Sequence, residues 1–366
     1  MSTTRVLFVT TNDIYDPIRG CDRRSAQLCG NLPAEWHVDS ISYNKSDGPG
    51  RPESPPRTIE NGERHVRLDY PDSGALAPFN PTVLSTLRSF GREYDLIVSS
   101  SVGSSVYGVA ASYYTGGELI VDVHNVEDDL SLAIGDYQRF LFSRVFGRLA
   151  LLRASLVAPT SETDMAQLPA SVREKSVVVA NGFDAEMFYR DDTEPDDRVL
   201  FFGNMSYEPN AEAVEVIADE IAPRLAETHP ELEIHLAGPD CEEITEIVAG
   251  LDNVVVAGLV DDIASYIRES RVVIVPLLTG SGTRLKIIES LACGTPVVST
   301  PKGAEGWPED WPALRTVRVA DFVEEIESVF DDGDELFDER VRTEIRSYSW
   351  ESQVEKLATA INGELL

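Results

Sequence analysis

One stretch, residues 271–303, restricts the fold more than any other: RVVIVPLLTGSGTRLKIIESLACGTPVVSTPKG. Val272, Val273, Ile274 and Val275 form the β-branched run of a strand buried on both faces of a parallel sheet. A Gly280-Ser281-Gly282-Thr283 turn follows, and an apolar helical pattern runs over 284–293. Gly294 ends that helix, Pro296 blocks its continuation, and 297–300 returns to strand. The unit is βαβ, and its glycine turn leads straight into a helix N-terminus. Free backbone N–H groups and the positive end of the macrodipole converge there, as they do at many phosphate sites.

The charges at the turn sharpen that reading. Arg284 and Lys286 fall in the first helical turn, where the dipole disfavours cations unless an anion is bound. Lysine is scarce elsewhere, at Lys45, Lys175, Lys302 and Lys356 only. Glu289 lies three residues after Lys286 and shares its face. The plainer alternative is a surface Lys286–Glu289 pair worth a few tenths of a kcal/mol. The coincidence of glycines, two cations and an apolar-flanked carboxylate favours a phosphate site.

At 366 residues the chain exceeds one ordinary core and predicts two domains. Sixty-three acidic against thirty-one basic residues give a formal charge of −32. An acidic, lysine-poor surface suits molar salt, where the Debye length falls to about 3 Å, so an extreme halophile is the expected source. The charge argues against nucleic acid or an anionic bilayer as a bulk partner. Cys21, Cys29, Cys241 and Cys293 form no CxxC pair and no zinc spacing, which fits a reducing compartment. No signal-peptide pattern opens the sequence and no apolar run reaches membrane-spanning length, so a cytoplasmic protein is expected, with at most peripheral membrane contact.

Strands and helices alternate through both halves, which defines α/β with parallel sheets. The first half predicts strands at 5–11, 37–43, 65–70, 94–100, 118–124, 155–160 and 176–180, with helices at 81–92 and 103–114 between them. The loop after the first strand carries Arg19, Gly20, Arg23 and Arg24 but no G-x-G-x-x-G, so a nicotinamide cofactor is not expected. Its arginines face either an anionic acceptor or phosphate, or local carboxylates; both readings stand. Residues 45–64, rich in Pro, Gly and Ser, form a substrate-binding flap or a tolerated insertion. His124, Asn125 and Glu127 follow a strand's carboxyl end, where open α/β sheets bind ligands, although a lone histidine is often structural. Residues 129–153 predict a long, arginine-bearing apolar helix, buried by packing rather than resting on a membrane. The acidic stretch 190–197 marks the domain boundary. The second half predicts strands at 232–238 and 253–258, helices at 210–228, 241–250 and 261–268, the βαβ unit, and closing helices at 321–330, 335–346 and 350–362.

With these pieces in order the chain resembles a GT-B glycosyltransferase, specifically the large retaining family 4 (group 1). GSGTRLKIIESLACGTPVVSTPKGAEG carries most of the likeness, supported by GNMSYEPN at 203–210, NGFD at 181–184 and DVHNVE at 122–127. The resemblance implies two Rossmann-like domains facing a cleft: an acceptor-binding domain over 1–190, a nucleotide-sugar-binding domain over 198–346, and a final helix within 347–366 that crosses back to the first. It implies a donor set of Gly203, Asn204, Gly280, Ser281, Gly282, Thr283, Arg284, Lys286 and Glu289. In that set Gly282, Thr283, Arg284 and Lys286 hold the diphosphate and Glu289 the ribose. His124 would face the transferring sugar and share the chemistry with Arg284 and Lys286. Gly20, Arg23, Arg24 and Asn125 would approach phosphate or acceptor.

Two positions depart from the family pattern. Ser281 stands where relatives often carry the first of two glutamates with seven residues between them, and Gly20-Cys21 replaces a double glycine. The implied activity is transfer of a sugar from a nucleoside-diphosphate sugar to a glycan, lipid-linked or protein acceptor, with retention and with neither metal nor organic cofactor. A nucleotide-sugar epimerase or hydrolase of the same fold is one alternative. A non-catalytic nucleotide-sugar-binding partner protein is the other, and Ser281 is its best support.

Overall fold

The computed structural model describes residues 3–17, 20–44, 64–69, 80–91, 93–124, 143–239, 241–280 and 282–365. Arg19, Asn125, Ser281, most of the predicted flap and the start of the predicted helix at 129–153 lie outside them. The chain forms two units, Met1–Asn181 with Trp350–Leu366, and Gly182–Ser349.

In the first unit β1 (Arg5–Thr10), β2 (His37–Asn44), β3 (His65–Asp69), β4 (Leu96–Ser100), β5 (Glu118–Val123) and β6 (Leu156–Pro159) form one parallel sheet, ordered β3-β2-β1-β4-β5-β6. Alternate side chains of β1 feed two cores, as the period of a strand requires. Val6 and Phe8 join Leu28, Cys29 and Trp36 on one face, and Leu7 and Val9 join Val83, Leu87, Phe90 and Tyr107 on the other. The final helix, Trp350–Glu364, belongs to this unit. Its Val354, Leu357, Ala358 and Ile361 recur at helical spacing and enter the same core as Val6.

The second unit repeats the topology. β7 (Asp196–Phe202), β8 (Glu233–Ala237), β9 (Val254–Gly258), β10 (Ser270–Val275), β11 (Val297–Ser299) and β12 (Leu314–Thr316) are parallel and ordered β12-β11-β10-β7-β8-β9. Val272 through Val275 are fully buried, as their unbroken apolar run demands. The strand order reverses beside β1 in one sheet and β7 in the other, and ligands of such sheets bind outside the carboxyl ends at that point.

The structure departs from the sequence reading in four places. The single helix expected at 210–228 is Glu208–Val216 and Ala222–Thr228 joined by a π-turn at Ile217–Ile221. Pro223 has no N–H to continue the ladder there. Residues 176–180 run beside β6, Val177 N donating to Val157 O and Val179 N to Pro159 O at 2.9 Å each, but form a single bridge rather than a full strand, and the carbonyls of Val179 and Ala180 accept from Arg24. The acidic stretch 190–197 lies inside the second unit and is held there, Asp191 by Arg268 at 3.1 Å, Asp196 by Arg198 at 3.0 Å and Asp197 by Arg271 at 2.9 Å. The described end of the segment expected to be a buried helix, Arg148–Arg153, buries only Ala150 and exposes Leu149 and Leu152. Among the described residues no helix is long and apolar enough to cross a membrane.

Candidate functional site

In the second unit the turn after β10 leads into the helix Leu285–Ala292. Gly280 adopts φ +98°, and a Cβ there would lie 2.9 Å from Arg284 Nη2 and 3.2 Å from the Tyr207 hydroxyl, so only glycine fits. Arg284 caps the helix and is buried. Its Nη1 donates to Gly282 O, its Nη2 donates to Thr279 O at 3.3 Å, and its own carbonyl accepts from Trp307 Nε1 at 3.2 Å. Burial lowers the Arg284 pKa, with Tyr207 and Glu305 opposing.

Lys286 is half-buried in the first turn of the same helix. Its Nζ donates to Asn210 Oδ1 at 3.0 Å and sits 4.2 Å from the centre of the Phe201 ring. Burial and the neighbouring Arg284 push its pKa down to about 7, while Glu289 pulls the other way. Glu289 is itself buried. The alternative of a solvated surface pair therefore does not describe Lys286 and Glu289.

The loop after β7 shapes the other wall. Asn204 Oδ1 accepts from Ser206 N at 2.8 Å and Ser206 Oγ at 2.6 Å, a turn that starts the helix Glu208–Val216. The Asn204 carbonyl accepts from Asn210 Nδ2 at 2.7 Å, which aims the other end of that amide at Lys286. Gly203 has φ +153°, and a Cβ on it would lie 2.8 Å from Asn210 Nδ2 and 3.1 Å from Lys286 Nζ. Gly203, Asn204, Gly280, Gly282, Thr283, Arg284, Lys286 and Glu289 thus stand where β7 and β10 end, at the switch point of this sheet. Two cations beside a glycine turn and a helix N-terminus are the elements from which anion sites are built. Sequence reasoning missed Asn210 as the partner of Lys286 and Trp307 as the partner of the Arg284 carbonyl. GNMSYEPN holds Asn210 but says nothing of what it faces.

In the first unit the site residues gather on Asp122. Arg24 is buried in the helix Gly20–Gly30 and grips Asp122 Oδ1 from Nε at 3.0 Å and Nη2 at 2.6 Å. The same guanidinium donates to Val179 O at 2.8 Å, Ala180 O at 3.2 Å and Asn181 Oδ1 at 3.1 Å. Of the two readings left open for this arginine, the local carboxylate is the one the structure shows. His124 Nε2 meets Asp122 Oδ2 at 2.8 Å and Ser100 Oγ at 3.0 Å. Burial alone would raise the Asp122 pKa, but Arg24 and His124 hold it well below the usual carboxylate range. Gly20 and Arg23, on the same helix as Arg24, are exposed. Among the described residues no three or more His, Cys, Asp or Glu side chains gather where they could hold a metal ion.

Residues 196–332 match the family model for glycosyl transferases group 1. No curated protein matches the chain in sequence. Several solved structures match over nearly its whole length. HepE from Anabaena, in complex with UDP, is 16% identical with a TM-score of 0.71, covering 98% of this chain and 100% of its own. Sucrose-phosphate synthase from Thermosynechococcus elongatus is 18% identical with a TM-score of 0.77, covering 98% of each chain. A glycosyltransferase from Rickettsia africae is 14% identical with a TM-score of 0.69, covering 99% of each chain. The fold is that of the GT-B glycosyltransferases, and the match to the group 1 model lies within the second unit.

Proposed function

We propose that the protein transfers a sugar from a nucleoside-diphosphate sugar to a hydroxyl of a glycan, lipid-linked or protein acceptor, with retention of configuration, as a family 4 enzyme. The observation that carries this is the cradle around Gly280. Arg284 and Lys286 stand together at one helix N-terminus, and Lys286 is held by an amide oxygen and an aromatic face rather than by a carboxylate. A departing nucleoside diphosphate needs its developing charge neutralised. In this reading Arg284, Lys286 and the N-terminal N–H groups do so, and the second unit is the donor-binding one. Glu289 holds the ribose, and Gly203, Asn204, Ser281, Gly282 and Thr283 complete the donor loops. His124 meets the transferring sugar. Gly20, Arg23 and Asn125 approach phosphate or acceptor, while Arg24 serves by holding Asp122.

The cations at the turn let the leaving group depart without a divalent metal, and no organic cofactor is needed. Same-face attack, with the leaving phosphate taking the acceptor proton, is proposed by analogy with the family alone. HepE in complex with UDP supports the choice of donor class. The protein would work in a cytoplasm at high salt, with at most peripheral membrane contact.

The test is nucleotide-sugar turnover in molar KCl with a panel of acceptors, with and without EDTA. Release of nucleoside diphosphate that depends on an acceptor, resists EDTA and gives a product of unchanged anomeric configuration is the expected result. Epimerised donor, or hydrolysis indifferent to acceptor, would favour the epimerase or hydrolase. Tight binding with no turnover would favour a partner protein.

A further inference from the structure

The first unit fixes more about His124 than its position. Asp122 is fully buried, and its carboxylate meets three neighbours: Oδ1 takes the two shorter contacts from Arg24, and Oδ2 faces His124 and Ser100, with a longer 3.3 Å contact from Arg24 Nε. An ionised carboxylate only accepts hydrogen bonds. The proton in the 2.8 Å contact between Asp122 Oδ2 and His124 Nε2 therefore belongs to the histidine.

The surrounding hydroxyls agree with that order. Asn12 Nδ2 donates to Ser25 Oγ at 2.9 Å, Ser25 Oγ lies 2.8 Å from Ser100 Oγ, and Ser100 Oγ donates to Asp122 Oδ2 at 3.0 Å. Ser100 donates its single proton to Asp122, so it has none left for His124. Arg24 in turn balances the carboxylate charge and fixes which oxygen faces the ring.

We propose that Arg24 and Asp122 are positioning residues that lock His124 in the Nε2–H tautomer, so that Nδ1 meets the ligand as a hydrogen-bond acceptor for a sugar hydroxyl. Nδ1 is the ring nitrogen without a hydrogen-bond partner among the described residues. The assignment of a sugar to His124 rests on the function proposed above; the tautomer does not. A histidine locked this way selects a hydroxyl over a carbonyl or phosphate oxygen at the position it faces, because only a hydroxyl can donate to it.

The experiment is nitrogen-15 NMR of the full chain labelled at its five histidines, in molar KCl at neutral pH. The His124 signals are assigned by their loss in His124→Gln. A protonated Nε2 with a bare Nδ1 is the expected pattern; a proton on Nδ1, or on both nitrogens, overturns the proposal. Asp122→Asn makes the converse test. Arg24 requires an oxygen opposite it, so the new amide NH2 takes the place of Oδ2 and donates to Nε2. The proton then moves to Nδ1, the sugar hydroxyl loses its acceptor, and kcat/KM for the donor falls about ten- to a hundred-fold. If that variant does not fold, the wild-type spectrum still decides the tautomer. A correct tautomer in a protein with no turnover sinks the sugar-transfer reading alone. Normal turnover with Nδ1 protonated sinks this proposal alone.

Discussion

Lys286 Nζ and Asn210 Oδ1 lie 3.0 Å apart, so the cation at the heart of the second unit is held by a neutral amide. A carboxylate in that place would cancel the charge. The amide orients the ammonium and leaves the charge for a ligand. Lys286→Ala removes a charge-assisted contact worth about 1.5–3 kcal/mol. Affinity for a nucleoside-diphosphate sugar should fall roughly ten- to a hundred-fold, and affinity for the free nucleoside diphosphate by a similar factor. Calorimetric titration measures both; wild-type affinity in the variant would end the donor-site assignment.

The same lysine predicts a pH dependence. Its pKa in the free protein is pushed down to about 7 by burial and by Arg284. A bound diphosphate favours the charged form, so the complex keeps a proton that the free protein has lost above neutral pH. Affinity for a nucleoside-diphosphate sugar, whose phosphates do not titrate in this range, should be flat below about pH 6. Above about pH 7 it should weaken by up to about tenfold per unit, as a proton must be taken up on binding. Titrations in buffers of different ionisation enthalpy count that proton. Equal affinity at pH 6 and pH 9 would show that Lys286 does not titrate on binding.

Gly203 guards this arrangement sterically. With φ +153° and Asn210 Nδ2 only 2.8 Å from where a Cβ would stand, Gly203→Ala must displace the amide that holds Lys286. Backbone strain and overpacking together should cost about 1–3 kcal/mol of stability. Nucleotide affinity should drop at least tenfold. Gly363→Ala, which meets nothing within 4 Å, is the control. Full nucleotide affinity in Gly203→Ala would mean that the Asn210–Lys286 contact is irrelevant to binding.

Much of this was legible in the chain because the signals are local. The run at β10, the glycine turn and the helical spacing of Val354, Leu357, Ala358 and Ile361 each express a period that one element must satisfy. The partners of the buried charges were not legible. Arg24 and Asp122 are 98 residues apart and Asn210 and Lys286 are 76 apart, joined by strand order rather than by any pattern in sequence. Composition also misled at 190–197. A run of carboxylates looks like a solvated spacer until Arg198, Arg268 and Arg271 come across to meet it.

The Arg24–Asp122 pair makes a stability prediction apart from any activity. Both side chains are buried, and the arginine is the main group holding the carboxylate ionised. Arg24→Met keeps most of the volume but leaves a charged group in the core without its cation, which costs about 3–5 kcal/mol when a buried pair is broken. Urea unfolding in molar KCl should register that loss, and adding Asp122→Asn should recover part of it by removing the stranded charge. A loss under about 1 kcal/mol for Arg24→Met would mean the pair is solvated, as surface pairs are.

Salt should decide whether the chain stays folded at all. Its formal charge is −32, and several of its ion pairs are exposed on both sides, among them Arg224–Glu324, Arg318–Asp321 and Arg340–Asp310. Such pairs contribute about 0–1 kcal/mol each, too little to offset the repulsion among the carboxylates in excess. That repulsion reaches about 10 Å at 0.1 M salt and about 3 Å at 1 M, so it is largely removed only near molar concentration. Fold or solubility should therefore be lost below about 0.5 M KCl and recovered on restoring salt. The buried Arg24–Asp122 pair, shielded from the ions, should contribute equally at both ends of the range. Thermal unfolding followed from 0.1 M to 3 M KCl gives the answer: a midpoint that does not move would mean that the acidic surface is tolerated in dilute salt, and the halophilic reading of the composition would fall.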